Sequence, residues 1–334
     1  MLRRSFLAAS LGGMAIALGA VAPGSIRRSG AVLTGATLAF GTTVSASVLH
    51  GDARAAEAAI GDALDQALQV DRLMSLYSPA SQVFQLNRDG VLAQPHPHLL
   101  EALRQSRALS ELTRGAFDIT VQPLWQTFRA AADGAIDGAG LPTPAQRLKA
   151  RAPVGWQQVA LDERAVRLGK PGAAITLNGI AQGYAADLAM AAVRARGIEH
   201  ALLDMGEFSA HGNKGAQQPW TLGVLDPRDG AALAAILRLD GRCLSTSGDY
   251  ASAFTPDFVH HHIFDPASGD SPLELASVTV VAPSAILADG LSTAFMVMGA
   301  RNAHALAARL DGVDLMTINK RGVRWKSSGF PLAA

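Results

Sequence analysis

The chain has 334 residues, 49% hydrophobic and 17% charged, enough to bury a sizeable core as one large domain or two small ones. A net charge of +1 gives no electrostatic case for nucleic acid or an anionic membrane surface. The single cysteine, Cys243, excludes an intrachain disulfide and a cysteine-built metal cluster.

Residues 1–26 read as an export segment and 27–334 as the folded unit. Met1-Leu-Arg-Arg-Ser-Phe-Leu7 puts two arginines before an uncharged run from Ser5 to Ile26, with Ala20-Val-Ala22 as a cleavage region. Arg3-Arg4 followed by Phe6-Leu7 resembles the twin-arginine type of secretory signal. The run is short and weakly apolar for a stable span, which takes about 20 apolar residues. No cysteine lies near it, so a lipoprotein anchor is excluded. The expected address is the periplasm, reached by a route that carries folded proteins, often with cofactor bound.

In chain order, Ala39 to Val48 predicts a first strand interrupted by a Phe40-Gly41-Thr42-Thr43 turn. Ala53 to Leu73 predicts an amphipathic helix, with Ile60, Leu64 and Leu68 on one face. Its end runs into a hydroxyl-rich loop around Ser75, Tyr77, Ser78 and Ser81. Tyr77 has two readings, stacking on a flat ring or plain packing. Pro97 to Thr113 predicts a second helix, stopped near Gly115. Ala116-Phe117-Asp118 then precedes a strand-like run, and Asp118 either meets a ligand edge or caps a turn. Residues 129–145 read as a surface excursion, and Pro144 after Thr143 as a helix start.

Val159–Leu161 and Val166–Leu168 predict a hairpin around Asp162-Glu163. Ile175 and Leu177 close a short β-like run. Asn178-Gly179 then supplies turn chemistry, since both tolerate positive φ. Ile180, Tyr184 and Leu188 recur at helical spacing, with Gly197 as the stop. A strand feeding a glycine turn and a fresh helix leaves backbone N–H groups free at the helix start, where a phosphate can bind. Strands follow at Ala201–Asp204, Trp220–Val224 and Ser277–Val281. Asp240-Gly241 between Ile236–Leu239 and Arg242–Thr246 is a hairpin signal. Ser284 to Met298 and Asn302 to Leu310 predict two helices around Gly299, and Leu315–Ile318 with Val323–Lys326 a closing hairpin. Strands outnumber helices and pair as neighbours. This predicts a mixed α+β fold, with mainly antiparallel sheets and flanking helices, over a doubly wound one.

Four later segments concentrate reactive residues: Met205-Gly-Glu207, Leu244-Ser-Thr-Ser-Gly-Asp-Tyr250, His260 to Gly269, and Asp289-Gly-Leu-Ser-Thr293. Asp289 and Thr293, four apart, share one helical face. They either offer oxygens to a hard cation such as Mg²⁺ beside a substrate phosphate or bond to each other. Three successive histidines on a strand point to alternating faces and cannot ligate one metal. His262, before Asp265-Pro266, can act as a base or position a nucleophile.

These residues carry a resemblance. Thr246-Ser-Gly-Asp-Tyr250, His262-Ile-Phe-Asp-Pro-Ala-Ser-Gly269 and Asp289-Gly-Leu-Ser-Thr293 resemble the signature segments of the FAD:protein FMN transferases, the ApbE family. The Ser75 to Asn87 loop, Gly115-Ala-Phe-Asp118 and Gly183-Tyr-Ala-Ala-Asp187 match in the same order, over roughly residues 38–326. The resemblance implies a T-fold-related core, FAD as substrate with Mg²⁺, and transfer of FMN to a threonine of an acceptor flavoprotein with release of AMP. It implies that Phe40 and Tyr77 contact the flavin, and that Ala116, Phe117 and Asp118 line the FAD. Thr176, Gln182, Ile263 and Phe264 fall at further FAD-contacting positions. It gives a backbone oxygen at Gly179 and the side chains of Asp289 and Thr293 to the metal, with Asp289 also counted as catalytic, and makes His262 the residue that assists transfer. Thr176 stands where the family usually has an acid, and Gln182 where it usually has Lys or Glu. Both changes remove charge on the adenine and pyrophosphate side and point to a second reading, a non-catalytic FAD carrier. A third is an FAD pyrophosphatase. The twin-arginine segment without a lipidation cysteine resembles the NosX branch, which implies a NosR-like acceptor.

Overall fold

The computed structural model describes residues 21–134, 140–215 and 218–333. The paired arginines and most of the uncharged run behind them therefore lie outside the described residues. Described first are β1 (Ile26–Ser29), β2 (Val32–Ala39), β3 (Thr42–Leu49), α1 (Ala53–Met74), α2 (Gln82–Asp89), β4 (Val91–Ala93) and α3 (Pro97–Leu112). Then come α4 (Gln122–Gly134), α5 (Pro144–Arg151), β5 (Val159–Leu161), β6 (Ala165–Leu168), α6 (Ala181–Ala195), β7 (Ala201–Asp204) and β8 (Phe208–His211). The chain continues through β9 (Asn213–Gly215), β10 (Gln218–Pro219), β11 (Thr221–Leu225), β12 (Leu233–Arg238), β13 (Cys243–Gly248) and β14 (Leu275–Ala282). It closes with α7 (Ala285–Ala307), β15 (Asp314–Asn319) and β16 (Arg324–Lys326).

The fold is α+β. Nine strands form one sheet in the order β1-β2-β3-β7-β8-β13-β14-β15-β16, and every neighbouring pair is antiparallel. Helices α1, α6 and α7 cover one face and build the main core with Val44, Ala46, Leu203, Val278 and Val280. The hairpin β11–β12 covers the other face through Trp220, Leu222 and Leu237. β14 is buried along its whole length because both faces of the sheet are covered there. The Asp52 carboxylate accepts from Arg54 N–H at 2.8 Å and starts α1.

Several expectations are corrected. The first strand is two, β2 and β3, joined at Phe40-Gly41, both with positive φ (54° and 75°), the geometry of a two-residue hairpin turn. After Asp118 the chain makes a 3₁₀ turn over Ile119–Val121 and then α4, not a strand. Helix α4 runs on through residues 129–134 of the stretch read as an excursion, and 135–139 lie outside the described residues. Ile175–Leu177 joins no sheet. Its backbone is held instead by the Asn87 side chain, which accepts from Ile175 N–H at 2.7 Å and donates to Ile175 C=O at 2.8 Å. Asp240-Gly241 reverses the chain but makes no hairpin, because β12 pairs with β11 while β13 pairs with β8 and β14. The last two helices form one element bent at Gly299 (φ 75°, ψ 164°), where the Glu274 carboxylate accepts from Ala300 N–H at 3.1 Å and restarts the helix.

Candidate functional site

The site forms where the start of α6 meets the first turns of α7. Gly183 is glycine for lack of room. A Cβ there would collide with the Ala285 carbonyl and stand 2.7 Å from Asp289 Cβ. This close approach lets Gly183 N–H donate to Asp289 Oδ2 at 3.0 Å. One of the N–H groups expected to be open to a phosphate is therefore already bonded to a carboxylate, in the polarity that a helix start favours. One turn further along α7, Thr293 brings its Oγ1 to 2.9 Å from where a Gly179 Cβ would lie, with the Phe117 ring 3.5 Å from the same point. Gly179 has no positive φ, nor has Asn178, so space rather than backbone conformation requires glycine at this turn. Gly179, Thr293 and Phe117 thus meet beside the Gly183–Asp289 contact.

The α6–α7 crossing makes a direct prediction. Gly183→Ala should lower stability by about 1–3 kcal/mol, because the clash is with backbone that cannot rotate away. Thermal unfolding should show a Tm lower by several degrees. An unchanged Tm would mean that the two helices can separate without loss.

Burial and mutual repulsion set the electrostatics. Burial pushes the Asp289 carboxyl up to about 7, against the Gly183 hydrogen bond, with the charge of Asp187 adding to the rise. Asp204, at the end of β7, is also pushed to about 7 by burial, opposed by Gly206 N–H. Glu207 lies in the next turn, and its carboxyl is held well above the usual range by burial and then by Asp289, although the Ser245 hydroxyl and Thr246 N–H both donate to it. Asp187 caps the start of α7, accepting from Ala285 N–H at 2.8 Å and Ile286 N–H at 3.0 Å. Its carboxyl too is raised by burial. Among the described residues no three His, Cys, Asp or Glu side chains close into a ready ligand set. The donors here are one carboxylate flanked by further acids, a threonine hydroxyl and turn carbonyls. Buried negative charge with oxygen donors and no basic side chain among the groups acting on Asp289 or Glu207 fits a hard divalent cation.

The remaining candidates divide. The Gln182 amide packs against Gly206, beside the acids. Thr176 Oγ1 accepts from Asn178 N–H at 3.2 Å and so shapes the turn before Gly179. Asp118 is buried and fully engaged: it accepts from Thr120 N–H and Oγ1 at 2.8 and 2.6 Å and from Trp156 N–H at 3.0 Å. Of its two readings the structure shows the cap, and the neighbouring Phe117 is buried with its ring against Gly179. Tyr77 is 73% exposed, so packing does not account for it and its ring is free to stack. Phe40 is partly buried in the turn, its N–H directed at the Asp71 carboxylate. Ile263 and Phe264 are buried, Ile263 in the main core and Phe264 against Phe128 and Phe254.

The three histidines lie in no named strand, His261 making only an isolated bridge to Ala253, and each still has its own partner. His260 Nδ1 bonds Asp270 at 2.7 Å, while His261 is buried with Nε2 3.3 Å from the Pro272 carbonyl. His262 Nδ1 lies 3.2 Å from the Ser252 carbonyl. A carbonyl only accepts, so Nδ1 carries the proton and Nε2 keeps its lone pair. Burial lowers the His262 pKa, opposed by that bond and by Asp249. Sequence reasoning assigned no role to Asp204, Glu207 or Asn87. The Asn87 contact with Ile175 spans 88 positions, and no local pattern announces it. An open cleft of about 730 Å³ lined by Arg88, Gln126, Arg167 and Lys170 shares no residue with the acid cluster.

The ApbE family model matches residues 40–317, and the chain belongs to the ApbE family. It is 32% identical over 308 residues to the FAD:protein FMN transferase of Salmonella typhimurium, covering 89% of this chain and 86% of that one. The enzyme of the same name from Escherichia coli K12 is 29% identical over 269 residues, covering 77% and 75%. Among solved structures, the ApbE protein of Thermotoga maritima superposes with a TM-score of 0.79 at 28% identity, covering 88% of this chain and 96% of that one. The apo flavinyl transferase ApbE of Pseudomonas stutzeri gives 0.75 at 30%, covering 91% and 95%.

Proposed function

We propose that this chain is a Mg²⁺-dependent FAD:protein FMN transferase that moves the FMN half of FAD onto a threonine of an acceptor flavoprotein and releases AMP. The observation that carries this reading is the junction of Gly179, Gly183, Asp289 and Thr293 over buried, uncompensated acids, in a chain similar to named transferases over most of its length. Asp289, Thr293 and a backbone oxygen at Gly179 would hold Mg²⁺. When bound, it neutralises pyrophosphate charge and polarises the phosphoryl oxygens. Tyr77 and Phe40 flank the flavin ring, and the Phe117 edge lines the approach to the phosphates. Thr176 and Gln182 offer neutral hydrogen-bonding groups on the adenine side.

The acceptor hydroxyl attacks the FMN phosphorus. The new oxygen–phosphorus bond forms as the bond to the bridging oxygen breaks, and AMP departs with that oxygen. His262 Nε2 takes the hydroxyl proton, and its neutral state at working pH suits it to the task. The protein's share is chiefly position and charge, as in other phosphoryl transfers.

Incubation with FAD, Mg²⁺ and a threonine-bearing target should give covalently flavinylated target and one AMP per flavin, both lost on chelation. Free FMN without labelled target would establish the pyrophosphatase reading instead, and FAD retained intact without AMP the carrier reading. We further propose export to the periplasm by the twin-arginine route, and a NosR-like acceptor. These rest on the arginine pair and the absence of a lipidation cysteine near it. Among the described residues no helix is long and apolar enough to cross a membrane. A deletion strain in which the NosR-like protein keeps its flavin would remove that partner.

A further inference from the structure

Thr293 is the end of a line of hydroxyls. Its Oγ1 lies 3.3 Å from Ser247 Oγ, Ser247 Oγ lies 2.7 Å from Ser292 Oγ, and Ser292 Oγ donates to the Asp289 carbonyl at 2.9 Å. Ser245 stands 3.0 Å from Ser292 on the far side and donates to Glu207. Ser245 and Ser292 are fully buried. Strand alternation makes the line possible. Ser245 and Ser247 of β13 face α7, while Thr246 between them turns away to Thr279 at 3.0 Å.

Each hydroxyl has one proton, and the main-chain carbonyl at the end of the line can only accept. Ser292 gives its proton to that carbonyl, so its oxygen accepts from Ser247. The Ser247 oxygen in turn accepts from Thr293. Proton order therefore runs one way, from Thr293 into the backbone of α7. The Thr293 proton is turned toward Ser247, which leaves the oxygen lone pairs for the side facing the Gly179 turn. A threonine free to rotate would also present its proton there, which repels a cation.

We propose that Ser247 and Ser292 are positioning residues that hold the Thr293 hydroxyl as an acceptor for a divalent cation. The proposal rests on the reading of the site as a Mg²⁺-dependent flavin transferase, and it concerns how the chain prepares one oxygen before any ion arrives.

The test uses the full chain with Mn²⁺ as the probe, titrated by calorimetry in the presence of FAD and without acceptor. Ser247→Ala should weaken Mn²⁺ binding about 10-fold, the usual scale for losing a partner of a metal-ligating group. The Mg²⁺ needed for half-maximal transfer should rise by the same factor, with kcat at saturating Mg²⁺ close to the parent. Ser247→Cys, similar in volume but a weak hydrogen-bonding partner, should behave like alanine, and Ser247→Thr should restore affinity. Thr246→Ala, on the opposite face of the strand, should change neither quantity. Parental Mn²⁺ affinity in Ser247→Ala and Ser247→Cys would overturn the proposal, as would a Ser247→Thr variant as weak as alanine. If the parent chain itself binds no Mn²⁺ with FAD, the functional reading fails and takes the proposal with it.

Discussion

Asp289→Asn should abolish flavin transfer while leaving a folded protein that, without metal, is more stable than its parent at neutral pH. Asparagine keeps the shape and can still accept from Gly183 N–H through Oδ1, so the α6–α7 contact survives. What disappears is the charge proposed to grip the cation. Metal stabilisation of a phosphoryl transition state is worth several kcal/mol, and each 1.36 kcal/mol is tenfold, so a loss of about 100-fold or more is expected. Flavin fluorescence of the acceptor after electrophoresis reads this directly, and labelling at the parental rate would remove Asp289 from the cation site.

The stability gain follows from the position of the carboxyl. Burial holds its folded pKa at about 7, against about 3.9 for an unperturbed aspartate. Between those values the unfolded chain binds fewer protons than the folded one, so stability falls as pH rises through the window. Asp204, also at about 7, contributes in the same direction. Metal-free protein should therefore melt at a higher temperature at pH 5 than at pH 8. Asp289→Asn should flatten that slope without removing it, and Mg²⁺ should raise Tm most at the alkaline end.

His262→Ala should slow transfer by about 100-fold or more, the range for a positioned general base, with little change in the KM for FAD. The parent should lose activity as pH drops, because a protonated imidazole cannot accept the threonine proton. The midpoint should lie below the ordinary histidine value, since burial disfavours the charged ring. In the alanine variant this acid limb should be absent. Initial rates across pH on a saturated acceptor check both points, and an unchanged profile would place the base elsewhere.

Periodic segments were legible in the sequence. The Ile60, Leu64 and Leu68 stripe announced α1, and the Ile180, Tyr184 and Leu188 spacing announced α6, because an amphipathic helix writes its buried face into its own residues. Asp240-Gly241 misled because turn chemistry reports that a chain reverses, not which strand receives it. Here it passes from one sheet to another. The strand expected after Asp118 failed for a related reason. Ile119–Val121 is β-branched and apolar at two positions, yet Asp118 caps a 3₁₀ turn and α4 follows. At the site, the shared helical face of Asp289 and Thr293 was readable from spacing, and the turn at Asn178-Gly179 from residue chemistry. The reason for Gly179 was not, since it lies in a hydroxyl 114 residues away in sequence rather than in its own backbone angles. Glu207 becomes an electrostatic neighbour of both Asp289 and Asp204 only once β7 and β8 are laid beside β13, and nothing in its own segment states that register.

The order in which the site is drawn from the chain bears on biosynthesis. Phe40 and Tyr77 emerge early, Gly179 and Gly183 midway, but Asp289 and Thr293 only on the last long helix, which must cross α6 at a position admitting no side chain. On the function proposed above, a nascent or truncated polypeptide would thus carry Phe40 and Tyr77, the expected flavin contacts, without the residues proposed to grip pyrophosphate through a cation. Flavin should be captured only after release from the ribosome, and any secretion step that demands a finished molecule would find loading and completion to be one event.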